Sequence, residues 1–250
     1  MHSLLSSALF SRGLSETAAA WQVTPGQAAD LFRRFPFFRM SSASGRGKRG
    51  RPGRHVSLDG SWSFFPRNPR RPLTHLLALL RELHECGEPF ALGLPLTSAY
   101  LRPFLFPQVR LYAPLETVSV WRGLFGGDPG VLEVSVEVFE GGQVTESEGL
   151  PVLGPEAAAV DALVAYRRFH AVTLLALADC LLHESGGGNP VPGLAGRRGL
   201  GPEWRALRAH RGSGPLSKVE VRAAHERYRE LRQQPPTSFS ALATSREAYS

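Results

Sequence analysis

The stretch SGRGKRGRPGR, residues 44–54, has the residue types that bind a polyanion. It contains five cations, four glycines and one proline, and it has no acidic residue. Arginine binds phosphate oxygens with two parallel N–H groups, and glycine lets the backbone approach them closely. We expect the five cations to bind the backbone or the minor groove of DNA. They are Arg46, Lys48, Arg49, Arg51 and Arg54.

Positive charge is concentrated around this stretch. The chain has 250 residues and a net charge of +7. Residues 33–71 carry eleven basic side chains and one acid, a net of +10, whereas residues 1–32 sum to −1 and residues 72–250 to −2. A local surplus of this kind is typical of a surface that binds nucleic acid. A solvated basic linker has the same composition, so the flanking elements must distinguish the two interpretations.

The residues that could support catalysis form less specific patterns than the basic stretch does. Glu82, His84 and Cys86 are close in sequence, but on a helix the side chains of His84 and Cys86 point about 200° apart, which does not suit a metal. Asp161 and Asp179 fall on predicted helices, where we expect paired or capped carboxylates rather than general bases. The sequence has no pattern of a phosphate loop, dinucleotide site, nucleophile elbow or zinc finger. We expect no enzyme activity, no cofactor and no metal.

Three short helices are predicted before the basic stretch. Apolar residues recur at helical spacing over residues 3–11, and Ser15 is a suitable N-cap for a second helix in LSETAAAWQV. In TPGQAADLFRRF, Thr24 suits the N-cap and Pro25 the first helical position. Only about three residues separate the second and third helices, a spacing typical of a helix-turn-helix.

The third helix is the expected recognition helix. Its outward positions are Gln27, Asp30, Arg33 and Arg34. Residues near the N-terminus of such a helix contact base edges, so Thr24 and Gln27 are the predicted base readers. Arg33 and Arg34 are predicted to bind phosphates.

A hairpin is predicted next, because FPFFRM and HVSLD are typical of strands on either side of the basic stretch. Phe35, Phe37 and Phe38 are expected in the core rather than stacked on bases. A hairpin after a helix-turn-helix makes a winged helix, with the basic stretch at the tip of the wing. This context favours DNA binding over a basic linker.

Later segments predict a mixture of helices and strands. Five leucines at helical spacing predict an amphipathic helix over residues 73–85. QVRLYAP, VSVWRGLF and VLEVSVEVFE are interpreted as strands, with GGQV as a tight turn after them. Four helices are predicted after that, in GPEAAAVDALVAYRRFH, AVTLLALADCLLHE, PEWRALRAHRG and SKVEVRAAHERYRELR. The order favours the α+β class.

The predicted division of the chain follows these elements. It is a winged helix-turn-helix domain over 1–60, a basic linker over 61–72, an α+β domain over 73–184, a loop with C-terminal helices over 185–234, and a flexible tail over 235–250.

The order of these segments resembles the AbiEi-type antitoxins and related bacterial transcriptional regulators. The resemblance covers residues 1 to about 185. It depends on the basic winged helix-turn-helix, on FALGLPLTSAYL with VRLYAP, and on GLPVLGPEAAAVDAL. It implies an N-terminal domain that binds operator DNA and a nucleotidyltransferase-like second domain that binds partners or neutralises a toxin. GLPLTSA lacks a Gly-Ser pair and VRLYAP lacks the acids that hold magnesium, so the resemblance implies this fold without its transfer activity.

The expected function is that of an antitoxin-like repressor that binds double-stranded DNA. Its second domain would bind a toxin or a second copy of the chain. Two alternatives stay open: a sequence-nonspecific DNA-binding protein of damage response or chromosome architecture, and an active nucleotidyltransferase. Cys86 and Cys180 are expected to be buried, reduced thiols. The sequence has neither a signal-peptide pattern nor an apolar run of about 20 residues, so we expect a cytoplasmic protein without membrane contact.

Overall fold

The fold is described from a computed structural model of the chain. The structure describes residues 3–9, 13–46, 52–59, 72–94, 96–97, 108–125, 133–170, 172–184, 193, 196, 198–211 and 226. In this part of the chain helices are combined with two β-sheets, which confirms the predicted α+β class. Among the described helices, none has the length and apolar character needed to cross a bilayer.

Three helices and a hairpin form the beginning of the chain. The helices are α1 (Leu4–Leu9), α2 (Leu14–Ala20) and α3 (Pro25–Arg33). The hairpin strands, β1 (Phe38–Arg46) and β2 (Pro52–Leu58), pair antiparallel, as the sequence predicts.

The connection between α1 and α2 pairs with this hairpin. Gly13 forms an antiparallel bridge with His55 of β2. Gly13, and not Ser15, is therefore the N-cap of α2, and it has no side-chain cap. The Gly13 carbonyl accepts the N–H groups of Glu16 and Thr17, both at 3.0 Å. The prediction of Ser15 was wrong because strand pairing at Gly13 fixes the start of the helix.

Aromatic rings fill the space between the helices and the hairpin. The ring of Phe32 stacks on Trp21 at 5.4 Å between centroids and meets the edge of Phe38 at 4.9 Å. Phe35 and Phe37 are buried, with their rings 5.4 Å apart. Phe38 is partly buried and lies 4.7 Å from Phe37. The phenylalanines are therefore core residues, as predicted.

The remaining elements follow in mixed order. They are α4 (Pro72–Glu85), β3 (Ala91–Leu92), β4 (Gln108–Ala113), α5 (Val118–Phe125), β5 (Glu133–Val138), β6 (Val144–Ser147), β7 (Leu150–Leu153), α6 (Pro155–Phe169), α7 (Val172–Glu184) and α8 (Gly201–Arg211). Strands β3 to β7 form a sheet in the order β5-β4-β3-β7-β6. Strand β7 runs parallel to β3 and antiparallel to β6. Of the predicted helix in SKVEVRAAHERYRELR the structure describes only Glu226, which is helical. Of the predicted linker over 61–72 it describes only Pro72, which begins α4, and the rest lies outside the described residues.

The segment VSVWRGLF is a helix, α5, and not the predicted strand. The Pro114 carbonyl accepts the N–H groups of Thr117 and Val118 at 3.0 and 2.9 Å, which begins a helical turn. Val118, Trp121 and Phe125 then lie on one buried face at helical spacing. The apolar residues therefore follow a period near 3.6, which the short V-S-V alternation obscured.

The chain divides into two compact units. The first unit contains Met1–Phe90 and Tyr112–Val138, and the second contains Ala91–Leu111 and Phe139–Ser250. The first unit thus includes α4 and extends beyond the sequence-based boundary at residue 60.

A buried carboxylate joins the segment after α4 to α1 within the first unit. Glu88 is 1% exposed and accepts the Ser3 hydroxyl at 2.7 Å and the Leu5 N–H at 3.2 Å. The Ser3 hydroxyl oxygen also accepts the Ser6 N–H at 3.0 Å, which caps α1. Burial raises the pKa of Glu88 to about 7, although hydrogen bonds from Ser3, Leu5 and Leu4 oppose the shift.

Candidate nucleic-acid interface

The beginning of α3 is held by a reciprocal cap between Thr24 and Gln27. The Gln27 N–H donates to the Thr24 hydroxyl oxygen at 3.2 Å, and the Thr24 N–H donates to Gln27 Oε1 at 2.9 Å. The Thr24 hydroxyl lies 3.0 Å from the same Oε1. Pro25 follows at the first helical position. Thr24 as N-cap and Pro25 as first residue are thus confirmed.

This cap changes what the two predicted base readers can offer a partner. Gln27 Oε1 already accepts two hydrogen bonds from Thr24. Recognition of adenine by glutamine uses both the amide oxygen and the amide nitrogen. While the cap is formed, Gln27 can offer its amide nitrogen as a donor but cannot make that paired contact. Base reading by Thr24 and Gln27 remains a prediction.

The outward face of α3 is polar, as predicted. Gln27, Asp30, Arg33 and Arg34 are exposed, whereas Phe32 is buried on the opposite face. Arg33 Nη1 forms an ion pair with Asp30 Oδ1 at 2.6 Å, one turn away on the same face. Arg33 therefore has a carboxylate partner within its own helix.

Arg34 is the C-cap of α3 and interacts with Cys86 after α4. Burial raises the pKa of the Cys86 thiol, and the charge and hydrogen bond of Arg34 oppose that rise. Cys86 and Cys180 are both half-buried thiols. The contact with Cys86 uses part of the donor capacity of Arg34, whose binding to phosphate remains a prediction.

The hairpin presents one of the predicted wing cations directly. Arg54 is exposed on β2 and lies opposite Ser42 of β1. Arg46 is the last residue of β1, opposite Pro52, after an irregularity in the strand pairing. Lys48, Arg49 and Arg51 lie outside the described residues.

Arg39 is a hairpin cation that sequence reasoning did not single out. It lies on β1, is 66% exposed, and its Nη2 is 2.7 Å from Asp59 Oδ2. The Asp59 N–H donates to the Phe37 carbonyl at 2.8 Å, which fixes the carboxylate after β2. The position of Arg39 between two apolar residues of a predicted strand, Phe38 and Met40, could have indicated its outward direction.

In the second unit, the carboxylate of Asp161 on α6 is fully buried and paired. It accepts a hydrogen bond from the Arg110 guanidinium of β4 and another from the Leu94 N–H at 2.7 Å. The expectation of a paired carboxylate is confirmed for Asp161. Within the described ranges, no three His, Cys, Asp or Glu residues are grouped to hold a metal ion.

Comparisons with protein-family models, with curated proteins and with solved structures find no match to this chain.

Proposed function

We propose that the protein binds double-stranded DNA through a winged helix made of α1, α2, α3 and the β1–β2 hairpin. The order of these elements supports the proposal, because three helices precede an antiparallel hairpin. An isolated antiparallel bridge between Gly13 and His55 joins the connection between α1 and α2 to strand β2. The observation that carries the proposal is the exposed polar face of α3, followed directly by a hairpin in the segment with a net charge of +10.

In this mechanism α3 enters the major groove and the hairpin lies along the adjacent backbone. The five cations of residues 44–54 displace counterions from phosphates, which supplies affinity without sequence information. If each of the five neutralises one phosphate, the slope of log K against log salt receives about −4 to −5 from the hairpin alone.

The salt dependence of duplex binding tests the proposal. We expect the full chain to bind a fluorescent duplex of about 20 base pairs with a steep salt slope in an anisotropy titration. Replacement of Arg46, Lys48, Arg49, Arg51 and Arg54 by serine should reduce the magnitude of the slope by about 4 to 5.

A pair of charge-matched variants provides the control. Arg49→Ser with Arg54→Ser should reduce the slope by about 2, whereas Arg205→Ser with Arg208→Ser on α8 removes the same charge and should leave it unchanged. An unchanged slope in the five-residue variant would exclude the hairpin from the interface. Absence of duplex binding by the native chain at low salt would overturn the proposal.

We propose further that DNA binding serves repression, as in an antitoxin-like regulator whose second unit binds a toxin or a second copy of the chain. The support is the resemblance in segment order, from the basic hairpin to GLPVLGPEAAAVDAL. We expect a nucleotidyltransferase-type toxin to be encoded next to this gene. Co-expression with the chain should neutralise that toxin. A chain that neither rescues growth nor represses its own promoter would contradict the regulatory role.

A second candidate function is DNA binding without sequence preference. The cap between Thr24 and Gln27 favours it, because the cap occupies the acceptor atoms of both predicted base readers. The two functions differ in the ratio of affinities for a selected duplex and a random duplex. A ratio of about 10³ or more indicates a specific regulator, and a ratio near one indicates a nonspecific binder.

We propose no catalytic role for the second unit. The support is that Asp161 is engaged by Arg110 and by the Leu94 N–H, which leaves its carboxylate poorly suited to hold magnesium. Incubation with labelled nucleoside triphosphates, magnesium and nucleic acid should give no labelled product. Transfer of label would overturn this part of the proposal.

A further inference from the structure

We propose that Asp30 and Arg33 act together as a specificity unit that reads one G·C base pair in the major groove. In this arrangement Arg33 donates to guanine O6 and N7, and Asp30 accepts from cytosine N4 of the same pair. The inference rests on the proposed binding of DNA by α3 and identifies what that helix recognises.

The geometry of the two side chains matches the edge of a G·C pair. Arg33 Nη1 and Asp30 Oδ1 are 2.6 Å apart, so a donor and an acceptor lie side by side on the outward face of α3. Guanine O6 and cytosine N4 present an acceptor and a donor side by side in the major groove. The protein pair is therefore complementary to the base pair as a unit.

Both side chains keep hydrogen-bonding capacity for this contact. The bond between them uses Arg33 Nη1, and a guanidinium also has N–H groups on Nε and Nη2. Arginine bound to guanine O6 and N7 is the commonest specific contact in protein–DNA complexes. The Asp30 carboxylate has a second oxygen, and the side chain of Asp30 is 72% exposed.

Electrostatics favours a base edge over a phosphate as the partner of Asp30. A carboxylate that faces the phosphate backbone is repelled, whereas one that faces an exocyclic amine accepts a hydrogen bond. Asp30 lies three residues before the start of the segment with eleven basic residues and one acid. An acid at this position weakens contact with phosphates and so favours the register in which it meets cytosine.

Gly26 allows α3 to approach the base edges closely. A side-chain carbon added at Gly26 would have one neighbour within 4 Å, the Thr24 hydroxyl oxygen at 3.8 Å, so its own surroundings do not require a glycine there. Gly26 is exposed one turn before Asp30, and the absence of a side chain there leaves room for the backbone of DNA at the edge of the major groove.

The specificity unit replaces part of the prediction made from sequence. Thr24 and Gln27 are engaged with each other, and Arg33 is held beside Asp30 rather than extended toward a phosphate. The proposed base contacts therefore lie at Asp30 and Arg33, one to two turns of α3 after the positions predicted at its N-terminus.

Selection from a random duplex library tests the inference on the full chain. The native protein, Asp30→Ala, Arg33→Ala and Glu16→Ala are each taken through the same selection. Glu16 is an exposed acid of α2, so Glu16→Ala changes the net charge by the same amount as Asp30→Ala. Both substitutions are at exposed positions, and circular dichroism verifies that each variant is folded.

The native protein and Glu16→Ala should enrich a fixed G·C pair. Asp30→Ala and Arg33→Ala should lose the enrichment at that pair while they keep the preferences at other positions. In anisotropy titrations, replacement of that pair by A·T should weaken native binding by about 5- to 150-fold and affect Asp30→Ala by less than about twofold. Asp30→Ala and Glu16→Ala should both bind random duplex more tightly than the native chain, because each removes one negative charge.

Retention of the G·C preference by Asp30→Ala overturns the inference. Native binding that is steeply salt-dependent but enriches no base pair overturns it too, and leaves the proposed DNA binding in place as the nonspecific form. A native chain that binds no duplex overturns the proposed function together with the inference.

Discussion

Three carboxylates of this chain show how the surroundings of a residue decide its role. Asp30 is exposed and holds an arginine on the outward face of α3. Asp161 is buried with a cation, Arg110, and a backbone N–H. Glu88 is buried with neutral donors, so the cost of burial exceeds the gain from hydrogen bonds and its pKa rises to about 7. The sequence predicts the outward position of Asp30 and the pairing of Asp161, whereas the burial of Glu88 is shown only by the folded chain.

Glu88→Gln should make the protein more stable at alkaline pH. The pKa of Glu88 is raised from 4.5 to about 7, so the folded state binds more protons than the unfolded state between these values. The contribution of Glu88 to stability is therefore full below about pH 4.5 and is lost as the pH rises to about 7. The variant keeps an acceptor for Ser3. Urea unfolding should give a gain of less than about 1 kcal/mol near pH 5 and a gain of up to about 3 kcal/mol near pH 8.

The exposed Glu82 of α4 provides the control for this prediction. Glu82→Gln should leave the difference between pH 5 and pH 8 as it is in the native chain. If the stability of Glu88→Gln depends on pH as that of the native chain does, another group is responsible for the pH dependence.

Asp161→Ala should destabilise the second unit by about 3–5 kcal/mol, because it leaves the Arg110 charge buried without its carboxylate. The Leu94 N–H also loses its acceptor. Glu146→Ala on the exposed strand β6 should change the free energy of unfolding by less than about 0.5 kcal/mol. Guanidinium unfolding measures both, and a cost below about 1 kcal/mol for Asp161→Ala would contradict a structural role for the pair.

At the scale of elements, local signals predicted most of the chain that the structure describes. The cap and proline of α3 and the leucine spacing of α4 correctly indicated two helices. The sequence could not show that Gly13 pairs with His55 and moves the start of α2. Nor could it show that GGQV leads into β6, since this short strand is defined by pairing with β7 rather than by its own residues.

The candidate site was predictable in outline but not in its contacts. The outward face of α3 followed from the helical period of its apolar residues. The cap on Gln27, the pairing of Arg33 with Asp30 and that of Arg39 with Asp59 depend on side-chain conformation, which composition and spacing do not specify.

Two glycines in different elements give a matched test of backbone conformation. Gly123 lies in α5 and Gly149 in the turn between β6 and β7, and an added side-chain carbon would have nothing within 4 Å at either position. Gly149 has a φ of +74°, which favours glycine. Gly123→Ala should raise stability by about 0.4–1 kcal/mol, and Gly149→Ala should lower it. Thermal unfolding that moves both variants in the same direction would contradict this assignment.

At the scale of the molecule, the surplus of positive charge lies in only one of the two folding units. The segment with a net charge of +10, residues 33–71, lies wholly in the first unit. The rest of the chain is slightly acidic. Measurements of salt dependence on the whole protein will therefore report mainly on the first unit.

The discontinuity of the first unit sets an order of events during synthesis. Its residues 112–138 are made after an intervening piece of the second unit, 91–111. At about 5–20 residues per second, the ribosome needs about 2–10 s to add the 48 residues from 91 to 138. During that interval the nascent N-terminal segment waits for α5 and β5, so a newly made chain has its complete first unit only after residue 138 has been added.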